Sequence, residues 1–321
     1  MASEIKGQLL KLENLSVELG GKKILQNINL NIREGEMLGI VGVSGAGKTT
    51  LLNAIIGYYP ITSGRVMYGS KIAGKFVPGM ENPESYKRLF GFSTQDPSFY
   101  PELTVSENLN YFAGLYNLGK SIKEQNIKKA LELVELHDFV SMPGKNLSGG
   151  MKKRLDIACA IVHNPKILIL DEPTADMDPI LRVQMWDVME NINRRGTTII
   201  VASHFLSELE HFCDRIVFLH TRKVAFFGTT SEFRQFHSKI KEIQIITRDG
   251  KYDAVLKKIL GLPFIEVKHS NSRKNRIILQ AKQQEHIINN ALSRVLTNED
   301  IENLEIRNPS MDTLFKMFLD K

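Results

Sequence analysis

The stretch GVSGAGKTT has the residue types and the spacing needed to bind a phosphate group. It matches the pattern G-x-x-x-x-G-K-[ST] and lies between an apolar run typical of a buried strand and a helical segment, as this motif requires. Its glycines allow backbone N–H groups to form an anion-binding nest. Lys48 is expected to reach the terminal phosphates, and Thr49 to offer a hydroxyl to Mg²⁺. The strand–loop–helix context disfavours a chance glycine-rich turn. The predicted phosphate loop consists of Gly42, Val43, Ser44, Gly45, Ala46, Gly47, Lys48, Thr49 and Thr50.

Two adjacent carboxylates, Asp171 and Glu172, follow the apolar run ILIL at Ile167–Leu170. The carboxyl end of a buried strand is where open α/β sheets present ligands. Asp171 suits Mg²⁺, directly or through water, and Glu172 can polarise an attacking water. A strand that simply ends in polar residues would explain the pair if it stood alone. Together with the phosphate loop, the pair favours a site for nucleotide hydrolysis.

The stretch NLSGGMKKRLDIA, residues 146–158, predicts a helix with an unusual first turn. Ser148 is a good N-cap, and Gly149 and Gly150 leave the backbone N–H groups after it uncovered. Three cations at 152–154 occupy the end where acids are usually favoured. A helix N-terminus of this kind is suited to an anion. The phosphate loop lies far away along the chain, so these residues alone do not identify the anion.

The segments that must position these residues alternate between strand and helix. Apolar runs without alternation predict parallel strands that are buried on both faces, and helical segments between them indicate an α/β core. These runs are Met37–Gly42, Ile167–Leu170 and Thr197–Ala202. Two earlier β-like runs, Leu9–Leu19 and Ile24–Ile32, are joined by the turn GGKK. In the second of these, Ile24, Ile28, Leu30 and Ile32 fall on one parity, which predicts a half-buried strand.

An all-helical insertion is expected between Thr104 and Val140. Its helices are predicted to start at two capping boxes, TVSE at Thr104–Glu107 and SIKE at Ser121–Glu124, each followed by apolar residues at helical spacing.

After Gly228 the predicted elements follow the order β-α-β-β-α-β, the ferredoxin-like pattern. A short helix and connector at Ser231–Lys239 precede them, and a last helix is expected to start at Ser310. We therefore predict two domains, residues 1–238 and residues 239–321.

Composition sets broad limits on the function. The chain has 321 residues, 42% of them hydrophobic, which is enough for a buried core. No apolar run approaches the length needed to span a bilayer, and the N-terminal residues lack the apolar region of a signal peptide. Cys159 and Cys213 lie in apolar helical patterns and are expected to be core thiols, as in a reducing cytosol. The net charge of +6 permits contact with nucleic acid or an anionic membrane but requires neither.

With these motifs in order, residues 8–230 resemble the nucleotide-binding subunit of an ATP-binding cassette (ABC) transporter. Besides the phosphate loop and the carboxylate pair, Gln95 matches the family's glutamine in the loop before the helical insertion. LSGGM matches the family signature, and TADMD at Thr174–Asp178 matches the loop across the dimer interface. His204, in ASH, matches the switch histidine. The phosphate loop and the signature are the most specific of these matches, and the combination is far more specific than any one.

The resemblance implies a P-loop NTPase fold of the ABC cassette type. Such a fold has an α/β core, an antiparallel β subdomain and a helical insertion, here at about residues 96–160. The small C-terminal domain of ferredoxin-like α+β type would be an addition to it.

The resemblance also implies an ATPase with ATP and Mg²⁺ as cofactors, in which two cassettes pack head to tail. The anion at the signature helix would then be the γ-phosphate of the partner's ATP, contacted by Ser148, Gly149 and Gly150. By the same resemblance, Glu172, His204 and Gln95 would be catalytic, Thr49, Gln95 and Asp171 would bind the metal, and Asp178 and Leu19 would join the phosphate loop and signature in contacting nucleotide.

Three features depart from the usual pattern, and one of them is the loop ADMD, which keeps Asp178 but is otherwise unusual. Leu19 replaces the aromatic ring that usually stacks on adenine, so weaker adenine affinity is expected. Met151 replaces the common glutamine of the signature, as in a subset that resembles drug-, antibiotic- and sodium-extruding cassettes. The cations of the signature helix suit an anionic neighbour, although Lys152 and Lys153 individually are expected to be solvated.

Two function classes remain at this point. In one, the chain is the ATPase subunit of a transporter, and the permease is a separate chain. The subunit would then lie on the cytoplasmic face of the cell membrane, and no nucleic acid is expected as a partner. Within this class, export is favoured over import by the resemblance of the signature region and of the tail RNPSMDTLFKMF to type-2 exporters. In the other, it is a soluble cassette ATPase acting on ribosomes or DNA. The single cassette and the short helical insertion favour transport.

Overall fold

The computed structural model describes residues 7–70, 75–79, 83–236, 240–262, 264–297 and 300–319. The chain divides into two compact units, Met1–Thr230 and Ser231–Lys321. This division precedes the predicted boundary at 238/239. Phe233 packs edge-on against Phe318 within the second unit, so the short helix before the boundary belongs with the residues that follow it. Residues 237–239 of the predicted connector lie outside the described residues.

Strands and helices are interspersed along both units. In chain order, the strands are β1 Gln8–Leu19, β2 Lys22–Arg33, β3 Met37–Val41, β4 Ser63–Ser70, β5 Lys75–Pro78, β6 Phe90–Ser93, β7 Ile167–Asp171, β8 Thr198–Ala202, β9 Arg215–His220, β10 Lys223–Gly228, β11 Ile240–Thr247, β12 Ile265–Asn271, β13 Arg276–Lys282 and β14 Ile301–Arg307. The helices are α1 Lys48–Ile55, α2 Pro83–Lys87, α3 Val105–Leu115, α4 Lys120–Leu133, α5 Gly149–Ile161, α6 Pro179–Arg194, α7 Leu206–Phe212, α8 Thr230–Phe236, α9 Tyr252–Leu260, α10 Glu285–Val295 and α11 Met311–Leu319.

The core of the first unit is a six-stranded sheet with the order β10-β9-β3-β8-β7-β6. The strands from β9 to β6 are parallel, and β10 is antiparallel to β9 at one edge. All residues of β3, β7 and β8 are buried, as their continuous apolar sequences predict. Ala202 at the end of β8 pairs with Asp171 on one side and with Ile40 on the other. The carboxyl ends of β3, β8, β7 and β6 are therefore neighbours, and the loops that follow them meet at one edge.

A second, antiparallel sheet has the order β2-β1-β4-β5. The prediction of a single buried parity in β2 is wrong near its start, because Leu25 is buried whereas Ile24 is only half-buried. Asn27 adopts a left-handed conformation with φ of 50°, and the pairing register shifts at this point. The backbone N–H of Asn27 donates to Ser16 Oγ at 3.1 Å. One extra residue in a strand moves the following side chains to the other face, which explains the change of parity.

The helical insertion contains one of the two predicted capping boxes. Thr104 Oγ1 accepts from the N–H of Glu107 at 3.2 Å, and Glu107 Oε2 accepts from the N–H of Thr104 at 2.8 Å. The second box, at Ser121–Glu124, is wrong. α4 already begins at Lys120 with Gly119 as its N-cap, and no side chain caps it. The carbonyl of Gly119 accepts the N–H of Lys123 at 2.9 Å, so Ser121 lies inside the first turn.

The second unit has the predicted β-α-β-β-α-β order over β11 to β14, and its antiparallel sheet has the ferredoxin-like strand order β12-β13-β11-β14. Its core joins sheet residues such as Ile243 and Leu279 to Val255 of α9 and Ile288 of α10. Ser310 precedes α11, and its hydroxyl accepts from the N–H of Thr313 at 3.2 Å.

Both cysteines are buried and free, as predicted, and burial raises the pKa of the Cys159 and Cys213 thiols. Within the described parts of the chain, none of the helices combines the length and the apolarity that a membrane span requires.

Candidate active site

The phosphate loop joins the buried strand β3 to α1. Its last residue before the helix, Gly47, is the N-cap of α1 and has a φ of 98°, a conformation that favours glycine. A Cβ on Gly47 would lie 2.9 Å from Leu25 Cδ2, so a side chain here would also meet the antiparallel sheet. None of the described side chains caps α1, and the first N–H groups of a helix have no partner within the helix, so they can act as donors at the loop.

Lys48 lies between this loop and the carboxylate pair. Its ammonium donates to the carbonyl of Gly42 at 3.1 Å and lies 3.4 Å from Glu172 Oε1. The side chains of Lys48 and Glu172 are only 11% and 13% exposed, so solvent screens their interaction weakly. The ammonium of Lys48 is therefore already positioned beside the loop, where an anion would bind.

Asp171 and Thr49 form a pair of oxygen donors beside Lys48. Thr49 Oγ1 donates to Asp171 Oδ2 at 2.7 Å, whereas the buried Oδ1 has no hydrogen-bond partner among the described residues. Burial raises the pKa of Asp171, and the neighbouring charge of Glu172 adds to the rise. An unpaired carboxylate oxygen next to a hydroxyl fits a hard cation such as Mg²⁺, which commonly uses one or two protein oxygens plus phosphates and water.

No group of three or more His, Cys, Asp or Glu residues within the described ranges could hold a metal ion. Mg²⁺ commonly takes most of its ligands from phosphates and water, so one or two protein oxygens at Asp171 and Thr49 suit it.

Glu172 occupies a conformation that the sequence does not reveal. Its φ is 50°, in the left-handed region that non-glycine residues rarely adopt. Its N–H donates to the carbonyl of Ala202 at 2.8 Å, which ties the end of β7 to the end of β8. Glu172 Oε2 lies 2.7 Å from Nδ1 of His204 and 3.3 Å from the backbone N of that residue. Since strained backbone clusters at functional sites, this conformation supports the chemical importance of Glu172.

Gln95 is exposed in the loop that follows β6. This loop is tied to α5 by a buried carboxylate, that of Asp156. Asp156 Oδ2 accepts from Ser93 Oγ at 2.5 Å, and Oδ1 accepts from the N–H and the hydroxyl of Ser98 at 2.7 and 2.8 Å. Lys153 of α5 donates to the carbonyl of Thr94 at 2.6 Å.

The prediction that Lys153 is solvated is wrong, because this residue is buried and its ammonium is hydrogen-bonded to the Gln95 loop. Lys152 is half-buried. Sequence reasoning also missed Asp156. A signal was present, since Lys153 and Asp156 are oppositely charged residues three apart on one helix, a spacing that brings two side chains together on one face.

The N-terminus of α5 has the predicted cap. Ser148 Oγ accepts from the N–H of Met151 at 3.3 Å. Gly149 and Gly150 line a cleft of about 240 Å³ together with Gln95 and Glu172. One cleft thus brings together the signature glycines, the Gln95 loop and a carboxylate of the predicted site.

Two predicted nucleotide contacts have other partners in the structure. Asp178 is the N-cap of α6, and its Oδ1 accepts from the N–H groups of Ile180 and Leu181 at 2.9 and 3.0 Å. Leu19, at the end of β1, is half-buried and packs against the core between the two sheets of the first unit. Their proposed contacts with nucleotide stay predictions.

Comparison with known proteins agrees with this arrangement. A family model described as ABC transporter matches residues 25–175. The chain is 29% identical over 308 residues to the linearmycin resistance ATP-binding protein LnrL of Bacillus subtilis (strain 168), covering 96% of this chain and 97% of that protein. It is 34% identical over 216 residues to the lantibiotic transport ATP-binding protein SrtF of Streptococcus pyogenes, covering 67% of this chain and 89% of that protein.

A solved structure of an ATP binding subunit of an ABC transporter is similar with a TM-score of 0.63 and 29% sequence identity, covering 72% of this chain and 93% of that chain. The order of the motifs, their positions at the strand ends and the similarity to these relatives all indicate the same family. This chain belongs to the ABC transporter family, as an ATP-binding subunit that hydrolyses ATP.

Proposed function

We propose that this chain drives export through a separate membrane permease, hydrolysing Mg-ATP at the interface of a head-to-tail dimer on the cytoplasmic face of the membrane. The observation that carries the export assignment is the relative named for linearmycin resistance, because the similarity extends over 96% of this chain and therefore includes its second unit. The relative named for lantibiotic transport gives further support over 67% of this chain.

The residues of the site suit each part of this reaction. Lys48 and the first N–H groups of α1 bind the phosphates, and Thr49 and Asp171 would hold Mg²⁺, which neutralises charge on the transferred phosphoryl group. Glu172 orients and polarises the attacking water, and His204, 2.7 Å from it, orients that carboxylate. Gln95 completes the site from the loop after β6.

The head-to-tail arrangement is supported by the donors at the start of α5. Ser148 uses a lone pair to cap the helix, so its hydroxyl proton can still be donated to a phosphate of the partner's ATP. The N–H groups of Gly149 and Gly150 add two more donors at a helix N-terminus. Lys153 and Arg154 contact their own chain, the latter through Glu135 Oε2 at 2.6 Å. Recognition would therefore rest on the hydroxyl and the backbone rather than on these cations.

A groove on the first unit is suited to binding the proposed permease. A groove of about 400 Å³ is lined by aromatic rings, among them Tyr58, Phe92 and Phe112, and it reaches Ser98 of the Gln95 loop. Tyr58 is 72% exposed, which is unusual for a large side chain of this kind. Apolar grooves of this kind accept amphipathic helices. We assign this groove to a cytoplasmic helix of the permease, because its continuity with the Gln95 loop would link the permease to the ATP site.

The test uses cells that lack this chain. Wild-type protein should restore resistance to linearmycin or to a lantibiotic, and Glu172→Gln should not. Tagged protein should co-purify with an integral membrane protein from detergent-solubilised membranes. Tyr58→Glu should abolish that co-purification, and Ile122→Glu, an equally apolar-to-acid change at a 56% exposed position outside the groove, should not. Co-sedimentation with ribosomes or DNA, unchanged susceptibility and no membrane partner would refute export.

A further inference from the structure

Lys153 is a buried cation that the ATPase chemistry described above does not use. Its side chain is 7% exposed, and its ammonium donates to the carbonyl of Thr94 at 2.6 Å. Thr94 immediately precedes Gln95. The ammonium therefore fixes the peptide group from which the Gln95 side chain projects.

The surroundings of Lys153 are acidic. Its Nζ lies 3.9 Å from Asp156 Oδ2, and Asp171 and Asp96 also act on it electrostatically. Burial lowers the pKa of Lys153, and these three carboxylates oppose that effect. Lys153 therefore interacts electrostatically with Asp171, although it lies on the signature helix.

Lys153 and Asp156, the two residues of α5 that contact the Gln95 loop, have separable roles. Asp156 accepts hydrogen bonds from Ser93 and Ser98, and Lys153 is a partner in none of these bonds. Asp156 ties both ends of the loop to α5. Among the described residues, Lys153 is the hydrogen-bond donor that holds the Thr94 carbonyl between these ends. Loss of the ammonium should release the middle of the loop while its ends remain attached.

We propose that Lys153 is a positioning residue for ATP hydrolysis. Its hydrogen bond to the Thr94 carbonyl holds Gln95 in place and links the Gln95 loop to α5, the helix that Ser148 caps. This inference rests on the role proposed above for Gln95 at the metal.

A purely structural role predicts a different outcome from a positioning role. Replacing a whole buried ion pair by apolar side chains of similar shape is often neutral or stabilising, whereas removing one partner alone costs stability. Lys153→Met leaves Asp156 with its three hydrogen bonds but removes the partner of the Thr94 carbonyl, so a lower melting temperature is expected for either role. Slower hydrolysis with a changed Mg²⁺ dependence, at a temperature where the variant is fully folded, would separate positioning from folding.

The experiment uses the purified full-length chain and titrates both ATP and Mg²⁺. Lys153→Met should lower kcat by tenfold to a hundredfold, the scale of a small misplacement of a reacting group, with little change in KM for ATP. The Mg²⁺ concentration for half-maximal rate should rise several-fold, while nucleotide binding without Mg²⁺ stays unchanged. Lys153→Arg retains an N–H donor and should recover part of the rate. Lys129→Met, on the exposed face of α4, is the matched control and should behave as wild type.

Coupling to Gln95 is tested by a double-mutant cycle. Gln95→Ala should reproduce the Mg²⁺ effect, and adding Lys153→Met to it should cost little more. Additive losses, or a normal Mg²⁺ dependence in Lys153→Met, would overturn the proposal, as would a rate in Lys153→Arg no higher than that of Lys153→Met. Failure of the export assignment appears separately, in the resistance and co-purification assays, which do not involve Lys153.

Discussion

Glu172 holds its carboxylate between Lys48 and His204 from a strained backbone position. Glu172→Gln keeps the size and the acceptor oxygen of the side chain but removes its basicity. We expect nucleotide binding to persist and hydrolysis to slow by about a hundredfold or more, the scale of general-base catalysis. Steady-state phosphate release and fluorescent-nucleotide titration would measure the two effects. Glu190→Gln, on the surface of α6, serves as control, and a wild-type rate for Glu172→Gln would show that another group activates the water.

Asp171 illustrates a conflict between stability and catalysis. Its pKa is raised in the folded state, so the ionised form is destabilised above that pKa and the penalty disappears as the pH falls towards the ordinary value. Asp171→Asn mimics the neutral form. We expect it to melt at a higher temperature than wild type at pH 8 without nucleotide, with a difference that shrinks on acidification. Calorimetry across pH would detect this, and Mg²⁺-dependent hydrolysis should be lost. A lower melting temperature of Asp171→Asn at pH 8 would contradict the conclusion that the buried charge of Asp171 destabilises the folded state.

Leu19 stands where the family usually has an aromatic ring. Leu19→Tyr should add stacking on adenine worth roughly 0.5–1.5 kcal/mol, so ATP should bind several-fold tighter and be better distinguished from GTP. Leu19→Val provides a control without a ring. A nucleotide titration in which tyrosine and valine behave alike would mean that the base lies elsewhere.

Helix α6 depends on Asp178 for its first turn, since that carboxylate accepts two backbone N–H groups. Asp178→Ala should lower the free energy of unfolding by about 0.5–2 kcal/mol, whereas Asp178→Asn, an equally good cap, should change it little. Thermal unfolding of the three proteins would compare them. The same pair also tests the dimer role: if asparagine restores stability but not ATPase activity, then the charge of Asp178 acts beyond its own helix.

The proposed dimer places the phosphate loop of one subunit against the signature of the other, and mixing two defective chains tests this arrangement. Ser148→Arg should load ATP but fail to close the dimer, and Lys48→Ala should have an intact signature but no nucleotide. Each mixed dimer contains one site that combines the intact phosphate loop of the Ser148→Arg chain with the intact signature of the Lys48→Ala chain. ATP-dependent dimers should therefore form only in the mixture, as measured by light scattering, with Glu172→Gln in both chains to prevent turnover.

Glu172→Gln alone is the positive control for the mixing experiment. If the mixture gives no dimer at any protein and ATP concentration while the control dimerises, then each subunit completes its own site. A weak dimer held by one nucleotide responds to higher concentration by mass action, and an absent one does not.

The sequence alone predicted three buried strands, β3, β7 and β8, as well as the phosphate loop and the β-α-β-β-α-β order of the second unit. These features depend on patterns within a few residues, such as the apolar run of β3, the glycine spacing after it and the cap of Ser148. Short-range physics acts on such patterns in the same way wherever they lie in the chain. The same local reasoning was wrong for Ser121, because a capping box does not exclude an earlier start of the helix.

Only the tertiary structure decided how distant residues meet. Lys153 is buried because Thr94, from a different strand end, supplies its partner, and no periodicity within α5 predicts that contact. The left-handed Glu172 is stabilised by Ala202 and His204 across the sheet, and the parity change at Asn27 is set by pairing with β1. Contacts between segments far apart in the chain therefore determine which side chain is buried, strained or aimed at the site.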